Sequence, residues 1–246
     1  MKIFLAGVSG MAKSYLTNDM VTGVKILESF YYADKWTEKM LPFFGEFLLD
    51  SGAFTFMSNN KGVVNWKEYI DRYASFINRN NIKYFFELDV DSIVGYEKVK
   101  EFRRILEQKT GKKCIPVWHK TRGIEEFKKM CDEYSYVAIG GIVSKEITQK
   151  DYKYFSYLIN EAHKRGTKIH GLGFTNFKGL EQYHFDSVDS TSWTTGNRFG
   201  VIYKFNGRTM KKYNKKEGQR LKNSRLVAVH NFKEWVKFQK YAEKNM

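Results

Sequence analysis

Short β-rich runs alternate with amphipathic helical stretches along this chain, and most of the runs stop abruptly at glycine or a polar side chain. The runs are Lys2–Val8, Glu46–Asp50, Lys83–Asp89, Lys113–Trp118, Tyr136–Ile139, Lys168–Leu172 and His184–Asp189. Between them, Trp66–Asn78, Tyr96–Gln108, Ile124–Cys131 and Lys150–Lys164 read as helices; in the first, Trp66, Tyr69, Ile70, Tyr73 and Ile77 share one face. Strand–helix repetition with nearly continuous apolar strands implies a parallel sheet covered on both sides. Seven strands are visible, and an eighth is expected in Gly200–Phe205 or before Asp34. The expected fold is α/β, a TIM-like (β/α)8 barrel, with an open doubly wound sheet as the alternative.

A chain of 246 residues is long enough for such a barrel as a single domain. The barrel is expected in 1–205, with a basic C-terminal tail over 206–246 that ends in a helix from Phe232 to Glu243. Aromatic residues make up 17%, which leaves rings available to stack on a ligand. Lys and Arg number 42 against 27 acidic residues, a net charge of +15. The excess thickens at Lys204, Arg208, Lys211, Lys212, Lys215, Lys216, Arg220, Lys222 and Arg225. Such a field attracts polyanions, nucleic acid foremost, although a lysine-rich soluble surface gives the same balance. Cys114 and Cys131 form no Cys-x-x-Cys, so neither a disulfide framework nor a thiolate zinc site is expected, and a reducing cytoplasm fits. The apolar run Ile3–Val8 is too short for a signal peptide, and no stretch is long enough to span a bilayer, so no membrane partner is expected.

Polar residues collect where the strands end: Asp50-Ser51-Gly52, Leu88-Asp89-Val90-Asp91, Trp118-His119-Lys120, Ile139-Gly140-Gly141, Gly171-Leu172-Gly173 and Val188-Asp189-Ser190-Thr191. In a barrel these ends open onto one face, where active sites sit. Taken singly, a strand-end Asp before Gly also serves as a turn or helix cap. The chain carries no GxGxxG, no GxxxxGK[ST] and no serine elbow. His119, His170 and His184 lack HxH or HExxH spacing, so no metal is expected, and each reads as a packed or hydrogen-bonded histidine.

Five of these segments, in order between about residues 46 and 192, resemble the guanine transglycosylases, barrel enzymes that swap guanine for a 7-deazaguanine. Asp50-Ser51-Gly52-Ala53-Phe54 resembles their DSGGFQ, and Leu88-Asp89 their (F/L)DE. Tyr136-Val137-Ala138-Ile139-Gly140-Gly141-Ile142 resembles YAIGGL, Gly171-Leu172-Gly173 resembles GVG, and Asp186-Ser187-Val188-Asp189-Ser190 resembles DMFDC. The chain departs from the family's tRNA enzymes in three ways. No cysteine follows Cys131, so their zinc module is missing; His119 replaces a base-reading glutamine; and Ser190-Thr191-Ser192-Trp193 stands where Pro-Thr-Arg follows the nucleophile. These departures resemble the zinc-lacking relatives that modify DNA in phages and bacteria.

The resemblance implies a pentosyltransferase working without cofactor or metal in a bacterial or phage-infected cytoplasm. Its partners would be a nucleic acid, DNA favoured over tRNA, and a free base such as 7-cyano-7-deazaguanine. Asp189 would attack C1′ of the sugar and Asp50 would move the proton between bases. Asp89 would accept the guanine N1–H and amino group, while His119, Gly140, Gly141 and Ile142 receive the carbonyl or ring edge. Strand alternation points Asp189 inward with Phe185 and Ser187; an alignment shifted by three would make Asp186 the nucleophile. Asp91 is the fallback for Asp89. Phe54, Trp118 or Trp193 could sandwich the base, and the basic tail would hold phosphates. Two other classes share these residues: a hydrolase that cuts the glycosidic bond without exchange, and a non-catalytic module that only binds nucleic acid.

Overall fold

The computed structural model describes residues 1–58, 64–216 and 223–246. Eight parallel strands form one sheet: β1 (Lys2–Ala6), β2 (Lys25–Ser29), β3 (Glu46–Asp50), β4 (Tyr84–Phe85), β5 (Val117–Trp118), β6 (Tyr136–Ile139), β7 (Lys168–Gly171) and β8 (Ser187–Ser190). Their order is β4-β3-β2-β1-β8-β7-β6-β5, so strands adjacent in sequence are adjacent in space. At the two edges, Phe86 and Ile115 form a parallel bridge. The Ile115 N–H donates to the Phe85 carbonyl at 2.8 Å, and the Glu87 N–H to the Ile115 carbonyl at 3.0 Å. The sheet therefore closes into the expected barrel. The eighth strand is β2, before Asp34. Gly200–Phe205 instead supplies β9 (Val201–Phe205), which pairs antiparallel with β10 (Met210–Asn214) in a hairpin outside the barrel.

Alternation along the strands divides the apolar residues between two layers. Phe4, Ala6, Leu27, Leu48, Phe86, Ile115, Val117 and Ala138 fill the interior. Their neighbours Ile3, Leu5, Ile26, Val137, Ile139, Ile169 and Val188 face the helices. The helix Trp66–Arg79, capped by Asn65, buries Tyr69, Ile70, Tyr73, Ala74, Phe76 and Ile77 against the sheet. Its Tyr73 hydroxyl lies 3.1 Å from the Leu49 carbonyl and 3.0 Å from that of Phe86, bracing β3 against the seam.

The division at 205/206 needs correction. It falls inside the β9–β10 hairpin, and the helix that follows spans Ser224–Asn245, beginning before Phe232 because Asn223 caps it. Phe232, Trp235, Phe238 and Ala242 of that helix share one core with Ile3 and Leu5. The Gln239 amide nitrogen donates to the carbonyls of Ile3 at 2.7 Å and Lys25 at 2.9 Å, and its oxygen accepts the Lys25 N–H at 3.1 Å. The last helix is thus a wall of the barrel domain. The lysines and arginines of the hairpin are exposed on that wall; Arg220 and Lys222 lie outside the described residues.

The seam between β4 and β5 is held by side chains where the backbone ladder stops. Glu87, fully buried, accepts the Val117 N–H at 2.9 Å and pairs with Arg122 at 2.9 Å and Arg103 at 2.6 Å. Arg122 also donates to the Val117 carbonyl, and its guanidinium lies 4.3 Å from the centre of the Tyr96 ring. This explains why β4 and β5 are shorter than the apolar runs suggested. Replacing one member of a buried ion pair strands its partner, at a cost of about 3–5 kcal/mol. Glu87→Gln should therefore lower the urea-unfolding free energy by about that amount; a loss under about 1 kcal/mol would mean that the two guanidinium groups have found water instead.

Candidate active site

Continuing the interior face of each strand past its last apolar residue places the polar groups at one mouth. Leu48 is followed by Asp50, Val117 by His119 and Ala138 by Gly140; on β8 the inward position below the mouth is already polar, Ser187, and Asp189 follows it. On β4 alternation breaks: a tight turn, Val90 N–H to the Leu88 carbonyl at 3.0 Å, brings Asp89 to within 2.7 Å of His119 Nε2.

Two aspartates are held alike. Asp50 accepts the N–H of Gly52 at 2.9 Å, and Asp189 that of Gly173 at 2.6 Å. Both glycines have positive φ, +83° and +69°, where a side chain would be strained. A Cβ on Gly52 would lie 2.7 Å from Tyr31 Cβ, and one on Gly173 2.3 Å from Val143 Cγ2. The two carboxylates differ in their remaining surroundings. Burial pushes the Asp50 pKa up to about 6, against the pull of the Gly52 N–H, and the charges of Asp189 and Asp89 push the same way. Asp189 has a second neighbour, His170 Nε2, at 3.3 Å.

Beside them runs a charged string. His119 Nε2 meets both Asp89 oxygens, at 2.7 and 2.9 Å, and its Nδ1 meets Glu146 at 2.8 Å. Burial opposes charge on the ring, but the two carboxylates outweigh it and raise the His119 pKa to about 9. Burial raises the Asp89 pKa, against the pull of His119 and of Arg122, which faces it at 3.2 Å. A Cβ at Gly140 would lie 2.9 Å from His119 Nε2, so the ring rests on the backbone there.

Asp89, Asp91 and His119 offer ligand atoms within 4.8 Å of one another, a spacing that a metal ion could bridge. A metal there would have to displace Arg122, which pairs with Asp89 at 3.2 Å and with Asp91 at 3.1 Å, and the proton that the two carboxylates hold on His119.

Asp50, Asp89, His119, Gly140 and Asp189 thus come together. The Gly140 N–H is taken by the Trp118 carbonyl at 2.9 Å and the Gly141 carbonyl by Ile147 N–H at 2.9 Å, while Ile142 is part-exposed beside them. Asp186 faces away, accepting the Ile169 N–H at 2.7 Å and lying 2.8 Å from His163. Phe185 does not share the inward face of Ser187 and Asp189: β8 starts after it, and its ring packs on Phe155 and Phe174. Trp118 and Trp193 are core residues, donating to the Gly123 carbonyl at 2.8 Å and the Ala6 carbonyl at 2.9 Å. The side chain of Phe54 lies outside the described residues. Sequence reasoning missed Glu146, Arg122 and any role for His170. His170 and Ser187 are register partners across β7 and β8, a pairing that only the folded sheet brings about.

Asp50 also gives a test through pH. Its folded pKa is raised above the ordinary carboxylate value of 3.8, so stability is greatest when it is protonated and falls as pH rises from there through about 6. Asn cannot ionise and still accepts the Gly52 N–H. Thermal melts should show Asp50→Asn gaining on the wild type at pH 8 but not at pH 4. A difference in Tm that is the same at both values would place Asp50 in ordinary solvent.

No family model matches the chain, and no curated protein matches it. Solved structures match in shape. One, a protein from Coccidioides immitis described as a fructose-1,6-biphosphate aldolase, superposes with a TM-score of 0.53 at 10% identity, covering 99% of this chain and 87% of its own. At that identity the likeness speaks for the fold alone, and this chain is by fold a TIM-type α/β barrel.

Proposed function

We propose that the protein is a guanine transglycosylase acting on nucleic acid, with DNA as the favoured substrate. The observation that carries this reading is the pair of inward-facing aspartates at one mouth, one pushed up to a pKa of about 6 and the other held by the Gly173 N–H with His170 beside it. Two carboxylates in unlike environments suit the two roles that base exchange needs. In the first step an Asp189 oxygen bonds to C1′ as the C1′–N9 bond breaks. The bonding pair leaves with guanine, which takes the proton of the Asp50 carboxyl. In the second, an incoming 7-deazaguanine gives its N9 proton to Asp50, its nitrogen bonds to C1′, and Asp189 departs as carboxylate. A pKa near 6 lets Asp50 give and take that proton near neutrality.

The base edge has a complement in the charged string. His119 presents a donor and Asp89 presents acceptors. Guanine presents the opposite array: the O6 acceptor, then the N1–H and amino donors. An arriving base would exchange the His119–Asp89 contact for its own hydrogen bonds. Two apolar side chains, Ile93 on the short helix Asp91–Val94 and Val143 on the loop after β6, are about half exposed and available to a base taken out of its stack. The exposed cations of the hairpin add attraction for phosphate.

Incubation with duplex DNA and, in parallel, RNA, together with labelled 7-deazaguanine bases, followed by nucleoside mass spectrometry, tests the reading. Label should enter DNA without added zinc, and Asp189→Asn should lower the rate by at least about a thousandfold while leaving the fold intact. Release of guanine without incorporation would make the protein a hydrolase. Nucleic-acid binding unaffected by Asp189→Asn, with no covalent adduct in either protein, would make it a binding module.

Base choice supplies a separate measurement. Hypoxanthine lacks the amino group, and losing one hydrogen bond to a charged acceptor costs about 2 kcal/mol, about thirtyfold in affinity. The wild type should prefer guanine over hypoxanthine by that factor in KM, and Asp89→Ala should show little preference. Equal discrimination by both proteins would move base recognition to Asp91.

A further inference from the structure

Inside the barrel, one layer below Asp189, lies a histidine that the exchange steps do not employ directly. His170 projects inward from β7 and is fully buried, with the rings of Phe86, Phe4 and Tyr136 centred 5.3, 6.2 and 6.4 Å from its own. Both its nitrogens are engaged. Nδ1 lies 2.6 Å from Ser187 Oγ, which also meets the Tyr136 hydroxyl, and Nε2 lies 3.3 Å from Asp189 Oδ1. The Gly173 N–H reaches the same oxygen at 2.6 Å. Although Ser, His and Asp stand in line, Ser187 is 1% exposed and capped by Tyr136, so its hydroxyl meets no substrate.

We infer that His170 is a positioning residue for Asp189, donating its Nε2–H to Oδ1 so that Oδ2 is the oxygen that bonds to C1′. The inference rests on the transglycosylase reading for the identity of the step, and on geometry alone for the hydrogen bond. An ionised carboxylate only accepts, so Nε2 must carry a proton. Nδ1 is then fixed by Ser187 and Tyr136, whose hydroxyls can each donate or accept, and the ring cannot turn without losing both partners. Two donors on one oxygen orient the carboxylate plane. They also favour the free carboxylate over the ester formed with the sugar. Their effect is therefore greatest in the second step, when the C1′–Oδ2 bond breaks and negative charge returns to Asp189.

The test uses the full-length protein in two measurements. Nitrogen-15 NMR of labelled wild type at neutral pH should show a protonated, pyrrole-type Nε2 for His170; an unprotonated Nε2 would overturn the hydrogen bond whatever the protein's activity. In exchange assays, His170→Leu should lower kcat at least tenfold with KM for the free base nearly unchanged, and the covalent nucleic-acid adduct should persist on a denaturing gel after the incoming base is added. His170→Gln, which keeps an N–H near the same place, should recover most of the loss. Equal changes in kcat and KM, or Gln no better than Leu, would reduce His170 to packing. Should wild type exchange no base on any nucleic acid while Nε2 is protonated as expected, the transglycosylase reading falls and the support of Asp189 by His170 stands.

Discussion

A carboxylate with no access to water must keep its cations, and Glu87 ties this barrel together through that requirement. It sits where the backbone ladder between the first and last strands of the closing sheet gives out after one bridge. Arg103 reaches it from the helix Tyr96–Thr110, Arg122 from the turn after β5, and the Val117 N–H from β5 itself. One side chain thus joins two strands, a helix and a loop. Arg122 extends the same network to Asp89 and Asp91, so the element that closes the sheet also fixes one wall of the mouth.

The mouth sets acidic side chains against a protein of net charge +15. Asp50, Asp89, Asp91, Glu146 and Asp189 lie at or near its floor, with Arg122 and His119 among them. Neutralisation is uneven. Asp89 and Glu146 share His119, whereas Asp50 has main-chain support but no cation paired with it among the described residues. That unevenness separates the two aspartates chemically, although both hang on a glycine N–H. A polyanion would be drawn by the basic exterior, while the acidic floor discourages phosphate and leaves room for a neutral base.

Much of the barrel was legible because its strands are apolar and stop sharply: Asp50, His119, Gly140 and Asp189 were all placed at strand ends by the loss of apolar character. Alternation also separated Asp189 from Asp186, one inward and one at the outer surface. What stayed hidden depends on distant partners. Strand β2 begins with Lys25 and carries Glu28, charged residues that read poorly as strand. Glu243 and Gln239 meet the first, and the N–H groups of Ser9 and Ser29 meet the second. Glu146 lies in a loop, and nothing local marks it as a partner of His119. Trp118 and Trp193 misled in the opposite sense: their rings suited a stacked base, but each of these two indole N–H groups finds a carbonyl within the fold.

The packing of Gln239 on the main chain of Ile3 and Lys25 also bears on how the molecule is made. The first strand exits the ribosome long before the helix that covers it. At roughly 5–20 residues per second, synthesis of the intervening chain takes roughly ten to fifty seconds. For that time the outer face of β1, with Ile3 and Leu5, waits uncovered beside whatever strands have already paired. Sequence-distant closure of this kind slows folding and exposes apolar surface to neighbouring chains. The nascent protein therefore has reason to depend on a holding chaperone until the helix Ser224–Asn245 has been made.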